Sequence, residues 1–212
     1  MAYLARRGVS SPDMCPRCQR SPETMDRPQT SLRSGIQSII LANPRTVLPS
    51  IIHGWRSSEG AAWKINYDAT TDYARRVIGQ GINIRDKSCK VFSADALKVK
   101  AMYSPIIAEA MAVWWGIGLA LDFGLVPFQI ESDCLQVVEM VSKGSAEVGH
   151  IISMIVASLG LNPGCSISHT PSTGNLVAHH LAKIALLVDH DCFWLDSCPP
   201  CMERLVQIDA FG

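Results

Sequence analysis

Three carboxylates in this chain have the type and setting for metal-dependent chemistry. Asp68 follows a segment in which Ile65 and Tyr67 alternate with polar residues, a pattern that predicts a β-strand. Glu109 lies in the first turns of an apolar helical segment, and Asp133 ends a second alternating segment. If the two strands are neighbours, the three acids converge. Converging hard oxygen ligands are what magnesium-dependent phosphodiester hydrolysis requires.

Each acid also has a structural interpretation. Aspartate is common in turns, which would account for Asp68 alone. A negative charge near a helix N-terminus is favourable, which would account for Glu109, and Asp133 is placed to be the N-cap of the helix that follows it. A buried lone carboxylate is costly, however, so Glu109 either reaches water or serves a site. The residues taken singly leave both interpretations open.

Periodicity predicts the elements that position these acids. Residues 61–97 are typical of a three-strand antiparallel meander, and Ser104 and Pro105 predict the N-cap and first residue of a long helix that ends before Gly124. Because this helix crosses over to the fourth strand, that strand can lie parallel to the first in a mixed sheet covered by helices. The predicted strands are 63–69, 77–86, 90–94, 126–132 and 165–169; the predicted helices are 106–123, 135–142, 148–159 and 175–187, the last capped by Asn175.

Composition narrows the class of protein. Lys+Arg and Asp+Glu both number 19, so the chain has no overall basic field to attract nucleic acid, and any such binding needs a local patch. We expect no secretory signal at the start of the chain, and no membrane span, because the most apolar early run, residues 36–52, is interrupted by Asn43, Pro44 and Arg45. Eight cysteines without a secretory signal indicate reduced thiols in an intracellular protein.

Two CxxC pairs lie near the ends of the chain. Cys15 and Cys18 could supply two zinc ligands, but a structural zinc site takes four, and two free cysteines in a loosely ordered segment are the alternative. Cys198 and Cys201 lie in a tail that we expect to be peripheral. The two pairs could complete one tetrahedral site only if the ends of the chain meet.

Five short motifs together resemble the plant RNase H-like domains (type 1 ribonuclease H, reverse-transcriptase-like) of retroelement origin. They occur in family order and at family spacings over about residues 62–188. The resemblance implies an α/β ribonuclease H-like fold, with a five-stranded mixed sheet of order 3-2-1-4-5 flanked by helices. The motifs are KINYDA at 64–69, GQGINIRD at 79–86, AEA at 108–110, IESD at 130–133 and NLVAHHLAK at 175–183.

The resemblance also implies roles for individual residues. Asp68, Glu109 and Asp133 match three of the four acidic ligands that hold Mg²⁺ (or Mn²⁺) and are catalytic in the family. His169 matches a histidine in a flexible loop that is thought to assist proton transfer or product release. His179 stands where the fourth acid is expected, a replacement common in the plant branch. A neutral imidazole is a poor magnesium ligand, so the second metal position is weakened.

The chain departs from the family pattern in two further places. The basic substrate-gripping protrusion is missing, because residues 139–151 contain only Lys143 and His150 as basic or imidazole side chains. The N-terminal segment resembles the zinc-binding segment that precedes such domains, but Arg27 replaces its histidine and a later cysteine has gone. The implied organisation is a degenerate zinc-binding-like remnant and linker at 1–60, an RNase H-like domain at 61–188 and a C-terminal tail at 189–212.

Three functions follow from the resemblance. An active enzyme would cut the RNA strand of RNA–DNA hybrids as a monomer without membrane attachment. A nucleic-acid-binding domain with reduced or no catalysis would account for the missing acid and protrusion. A folded retroelement remnant without a present role is the third. His179 is the residue that distinguishes the first two.

Overall fold

The structure, a computed structural model, describes residues 61–144 and 149–211, with the side chains of residues 209–211 excepted. Six strands, five α-helices and two 3₁₀ turns, at 172–174 and 200–202, occur in these residues. The strands are β1 (Trp63–Asp72), β2 (Val77–Asp86), β3 (Val91–Val99), β4 (Phe128–Ser132), β5 (Ser166–His169) and β6 (Cys192–Leu195). The helices are α1 (Pro105–Asp122), α2 (Leu135–Lys143), α3 (Gly149–Leu161), α4 (Leu176–Leu187) and α5 (Glu203–Phe211).

The strands form one mixed sheet with the order β5-β4-β1-β2-β3-β6. β1 is antiparallel to β2 and parallel to β4, and β4 is parallel to β5, as the helical crossovers require. The predicted fold and the order of the first five strands are therefore confirmed. The strand count was one too low, because β6, which comes from the predicted tail, pairs antiparallel with β3.

Alternation along β1 separates two buried faces of the sheet. Ile65 and Tyr67 belong to the larger hydrophobic cluster beneath α1, whereas Asn66 and Asp68 contact the segment that begins α4. Lys64, Asn66 and Asp68 are all buried, at no more than 5% exposed. The pattern is thus that of a strand covered on both sides, and its polar residues mark the face that holds α4.

Several strand boundaries differ from the sequence prediction; β3, for example, continues to Val99 and does not end at Ala94. β1 continues through the polar residues 70–72, because each of them pairs with β2 as far as Asp72↔Val77. Ladder hydrogen bonds do not depend on side-chain polarity, so a polar run can remain a strand when its partner strand is in register. β4 begins at Phe128 rather than Val126, since Pro127 has no backbone N–H to donate.

α1 is long and apolar enough to meet the length and hydropathy criteria for crossing a membrane. A core helix of a globular domain meets the same criteria, and eight residues of α1 are buried. Val113, Ile117 and Leu119 belong to the same hydrophobic cluster as Ile65 and Ile82 of the sheet. The apolar character of α1 is therefore explained by packing against β1 and β2.

Candidate active site

The register of β1 and β4 places the first and third acids side by side. The pairing of these parallel strands ends at Asn66↔Glu131, so Asp68 and Asp133 each lie two residues beyond the last pair. β1 continues past this point while β4 ends at Ser132. The end of β4 leaves an opening beside β1 where groups from the two faces of the sheet can meet.

Glu109 reaches this opening from α1, on the face of the sheet opposite to α4. Burial is the main cause that raises the pKa of Glu109 to about 9, and the charges of Asp68 and then Asp133 raise it further. A hydrogen bond with the backbone of Ala69 opposes this shift, and the Oε2 atom of Glu109 has no hydrogen-bond partner. Without a cation, Glu109 is therefore a neutral acid at neutral pH, held beside two other carboxyl groups.

Asp68 contacts His179. The Nδ1 atom of His179 lies 3.0 Å from the Oδ2 atom of Asp68, and the carboxylate is only 8% exposed. His179 occupies the first turn of α4, and Gly81, the β2 partner of Asp68, packs against the carbonyl of Ala178 in that turn. The structure thus brings His179 to the acids from the last long helix of the predicted domain.

Asp133 is held by Asn175, a contact that the sequence analysis missed. The side-chain amide of Asn175 donates to Oδ1 of Asp133 at 2.9 Å and to the carbonyl of Tyr67 at 2.8 Å. The N-cap interpretation of Asp133 is wrong, because Cys134 occupies that position of α2. Asn175 is at the N-cap of α4 as predicted, but its side chain makes no capping bond. The asparagine that begins the motif containing His179 was the available signal.

His169 lies at the rim of the site. It ends β5, where it pairs in register with Ser132, the residue before Asp133, and its side chain is exposed. The following residue, Thr170, donates its backbone N–H to the carbonyl of Ser132 at 2.8 Å. This position beside the end of β4 leaves the imidazole accessible to solvent and to a bound molecule.

The three carboxyl groups are the kind of oxygen donor that a divalent cation prefers, but they are not arranged as the ligands of one ion. Three carboxyl groups converge, and the unpartnered Oε2 of Glu109 is a buried oxygen that a cation would satisfy. Within residues 61–144 and 149–211, no group of three or more His, Cys, Asp or Glu side chains is arranged to hold a metal ion. Asp68 and Asp133 are instead engaged by His179 and Asn175.

A buried polar network lies next to the site, and the sequence analysis did not predict it. Lys64 forms an ion pair with Glu131 at 2.7 Å, and Asn66 donates to Glu131 at 3.3 Å and to the carbonyl of Gly174 at 3.4 Å. Arg85 donates to the side-chain oxygen of Asn66 at 3.4 Å. The network joins β1, β2 and β4 to the turn before α4. Positions 64, 66 and 68 share one face of β1, which was the sequence signal for it.

The cysteine predictions have different outcomes. Cys15 and Cys18 lie outside the described residues, so a zinc site there stays a prediction. Cys198 and Cys201 are free, half-buried thiols. Burial is the main cause that raises the pKa of both thiols, to about 11 for Cys198, so both are protonated at neutral pH.

Comparison with known proteins agrees with this architecture. The family model described as reverse transcriptase-like matches residues 66–185. RNase H1 from the halophilic archaeon Halobacterium salinarum is 17% identical with a TM-score of 0.54, covering 58% of this chain and 96% of its own. LC11-RNase H1, isolated from compost by a metagenomic approach, is 17% identical with a TM-score of 0.53, covering 59% and 95%.

A second structure of LC11-RNase H1, in complex with an RNA/DNA hybrid, is 18% identical with a TM-score of 0.51 and covers 58% of this chain and 95% of its own. At these identities the likeness concerns the fold. No curated protein matches the sequence.

Proposed function

This chain belongs to the reverse transcriptase-like family, and on that premise we propose that it binds RNA–DNA hybrids and hydrolyses their RNA strand with the help of a divalent metal ion. The observation that carries the proposal is the convergence of two acids, Asp68 and Asp133, on a third, Glu109. The pKa of Glu109 is raised to about 9 by burial and then by Asp68 and Asp133. Perturbed acids that cluster in this way are typical of functional sites.

Asp68, Glu109 and Asp133 are the residues that would hold the metal, and His179 would take the remaining position. When bound, Mg²⁺ or Mn²⁺ supplies activation of water and stabilisation of the leaving 3′ oxygen. Asn175 orients Asp133 through its amide, and His179 orients Asp68. His169, which is exposed at the rim, would move a proton or assist product release.

The partner in this proposal is an RNA–DNA hybrid, as in the complex of LC11-RNase H1. We further propose that the protein is an intracellular monomer of plant retroelement origin, with a domain at 61–188 and a tail at 189–212. In this proposal the segment 1–60 is a degenerate zinc-binding remnant. Zinc analysis of protein prepared without chelator tests whether this segment binds zinc. We expect no tightly bound zinc ion.

Hydrolysis of a labelled hybrid in magnesium or manganese tests the activity. Asp68→Asn keeps the size of the side chain and removes its charge, so it should abolish cleavage under either metal. Cleavage that persists in Asp68→Asn would show that another site, or another protein, carries the activity.

A second function, hybrid binding without cleavage, is favoured by one specific observation. His179 and Asn175 engage Asp68 and Asp133, and the described residues form no three-ligand set. Hybrid binding by a protein that cleaves under neither metal would select this function. Cleavage in either metal would exclude it.

A further inference from the structure

The hairpin of β1 and β2 extends beyond the candidate site. β1 pairs with β4 only as far as Asn66, but it continues with β2 from Asp68↔Gly81 to Asp72↔Val77. Four residues of extended strand span about 13 Å, so the end of the hairpin lies roughly that far beyond Asp68. Residues 69–72 and 77–80 therefore form a ribbon beside the opening in which the acids meet.

The tip of this ribbon is basic and aromatic. We call residues 73–76, with the sequence YARR, the basic turn. Tyr73 is 60% exposed, the Arg75 side chain is 66% exposed and Arg76 is also exposed. Asp72 shapes the turn, because its Oδ1 accepts the backbone N–H of Arg75 at 2.9 Å. Its Oδ2 lies 3.7 Å from Nε of Arg75, so one acid offsets part of the charge of two arginines.

Another exposed cation lies at the same end of the sheet. β3 ends at Val99, which pairs with Ile78 next to the basic turn, and the exposed Lys100 follows it. Asp191, in the tail, also lies at this end of the sheet, where its carboxylate accepts the backbone N–H of Lys98 at 2.9 Å. In a chain with no net charge, three exposed cations, Arg75, Arg76 and Lys100, thus lie at one end of the sheet, together with the acids Asp72, Asp189 and Asp191.

We propose that the basic turn, with Tyr73, Arg75 and Arg76, binds the phosphodiester backbone of the hybrid on one side of the cleaved bond. The proposal rests on the proposed function for the identity of the duplex. Arginine donates several hydrogen bonds in a planar fork that matches phosphate oxygens, and the exposed ring of Tyr73 packs against sugars. At about 3.4 Å of rise per nucleotide, the turn contacts the strand about four nucleotides from the reacting phosphate.

The basic turn supplies a contact with the nucleic acid in place of the basic protrusion that this chain lacks. Between α2 and α3, where the resemblance implies a basic protrusion, the chain offers only Lys143 and His150. Lys143 is paired with Glu139 at 2.8 Å. The basic turn carries a net positive charge and is closer in sequence to Asp68 than Lys143 is to any of the three acids. The paired strands β1 and β2 hold the turn in place.

Equilibrium binding of a labelled hybrid, measured without divalent cations, tests the proposal apart from cleavage. Each lost phosphate contact flattens the slope of log K against log salt by about 0.9, so Arg75→Gln/Arg76→Gln should flatten it by about 1.8. Binding at about 0.1 M salt should weaken by about 10- to 60-fold. Arg75→Lys/Arg76→Lys keeps the charge and should keep the slope.

The opposite end of the same strands provides a matched control. Lys87 and Lys90 are exposed in and after the turn between β2 and β3, so Lys87→Gln/Lys90→Gln removes the same charge at the other end of β2. This control should bind as the wild type does. Melting temperatures confirm that each variant is folded; if the double glutamine variant is not, the single variants should each give half of the change in slope.

The outcomes distinguish the role of the basic turn in binding from the proposed hydrolysis of the hybrid. Equal slopes for the wild type and Arg75→Gln/Arg76→Gln, or an equal loss in the control, would overturn the role of the basic turn. A wild type that binds no hybrid would overturn it as well. A wild type that binds through the turn but cleaves under neither metal would support the turn while the proposed hydrolysis fails.

Discussion

The contact between His179 and Asp68 places an imidazole where the resemblance implies a fourth acid. An acid at position 179 would add a fourth hard oxygen donor, whereas a neutral imidazole suits softer or later transition metals. The imidazole also contacts an oxygen of Asp68 that a cation would need. We therefore expect the site to prefer manganese to magnesium.

Replacement of His179 tests this preference. His179→Asp should raise the rate of hybrid cleavage in magnesium by roughly ten-fold and reduce the advantage of manganese. Ser197→Asp, which adds the same charge at an exposed position near the opposite end of β3, is the control and should not change either rate. An unchanged magnesium rate in His179→Asp, with a wild type that is already fast, would show that the histidine is no handicap.

Asp95 is a second residue whose environment determines its charge. It is fully buried on β3, where burial raises its pKa to about 8 against the opposing effect of a hydrogen bond from the Ser93 hydroxyl. Its Oδ1 has no hydrogen-bond partner. The folded protein therefore keeps Asp95 protonated at neutral pH, whereas the unfolded chain ionises it near pH 4.

The sign of the resulting pH dependence follows from proton binding. Between about pH 4 and pH 8 the folded state binds one more proton at Asp95 than the unfolded state, so the free energy of unfolding falls as pH rises, by roughly 1.4 kcal/mol per pH unit. Asp95→Asn should remove this contribution. Urea unfolding of both proteins from pH 5 to pH 8 measures it, with the exposed Asp196→Asn as control. Parallel pH profiles for the wild type and Asp95→Asn would refute the assignment.

Among the elements, α4 matters most because it carries His179 and follows directly on Asn175. It lies on β2 at a distance that only glycine permits. A Cβ atom at Gly79 would be 2.1 Å from the carbonyl oxygen of Ala182, and one at Gly81 would be 2.0 Å from that of Ala178. Backbone atoms cannot move aside as a flexible side chain can, so these glycines set the depth at which α4 sits.

Alanine at either glycine should displace α4. Gly79→Ala and Gly81→Ala should each lower the free energy of unfolding by about 1–3 kcal/mol or more, and should reduce cleavage because His179 and Asn175 move with the helix. Gly160→Ala, in α3 with open space around its Cβ position, should be neutral or stabilising by up to about 1 kcal/mol. Chemical denaturation measures all three. A stability loss no larger at Gly81 than at Gly160 would contradict the packing argument.

Local patterns predicted the elements better than they predicted the contacts between them. Alternation in β1 and β4 located the strands, and the acids at their ends followed from the same pattern. The role of Asn175 was not predictable in this way, because its bonds join residues 42 and 108 positions away and depend on the sheet register. β6 escaped prediction for a similar reason: a four-residue strand with half-buried side chains has little periodicity until its pairing with β3 is known.

At the scale of the whole molecule, the last residues of the described chain are part of the packed structure. β6 covers the edge of β3, and Met202 and Cys201 pack in the smaller hydrophobic cluster with Leu181 and Ile184 of α4. An uncovered edge strand favours aggregation, and loss of the cluster exposes apolar side chains of α4. The tail therefore contributes to the stability of the helix that completes the site.

Two fragments test this contribution. Residues 61–212 should unfold cooperatively, whereas residues 61–188 should melt at a lower temperature or aggregate, because the edge of β3 and the apolar face of α4 are then exposed. Thermal unfolding and light scattering measure both properties. Equal melting temperatures for the two fragments would show that the tail is peripheral, as its sequence first indicated.

The central claim is that three converging acids make this family member a hybrid-cleaving enzyme. The most direct test is the initial rate of RNA-strand cleavage in a labelled hybrid, for the wild type and Asp133→Asn, in magnesium and in manganese. We expect the wild type to cleave in manganese and more slowly in magnesium, Asp133→Asn to cleave in neither, and the distant Asp196→Asn to match the wild type. Equal rates for the wild type and Asp133→Asn, or no cleavage by a wild type that binds the hybrid, would contradict the claim.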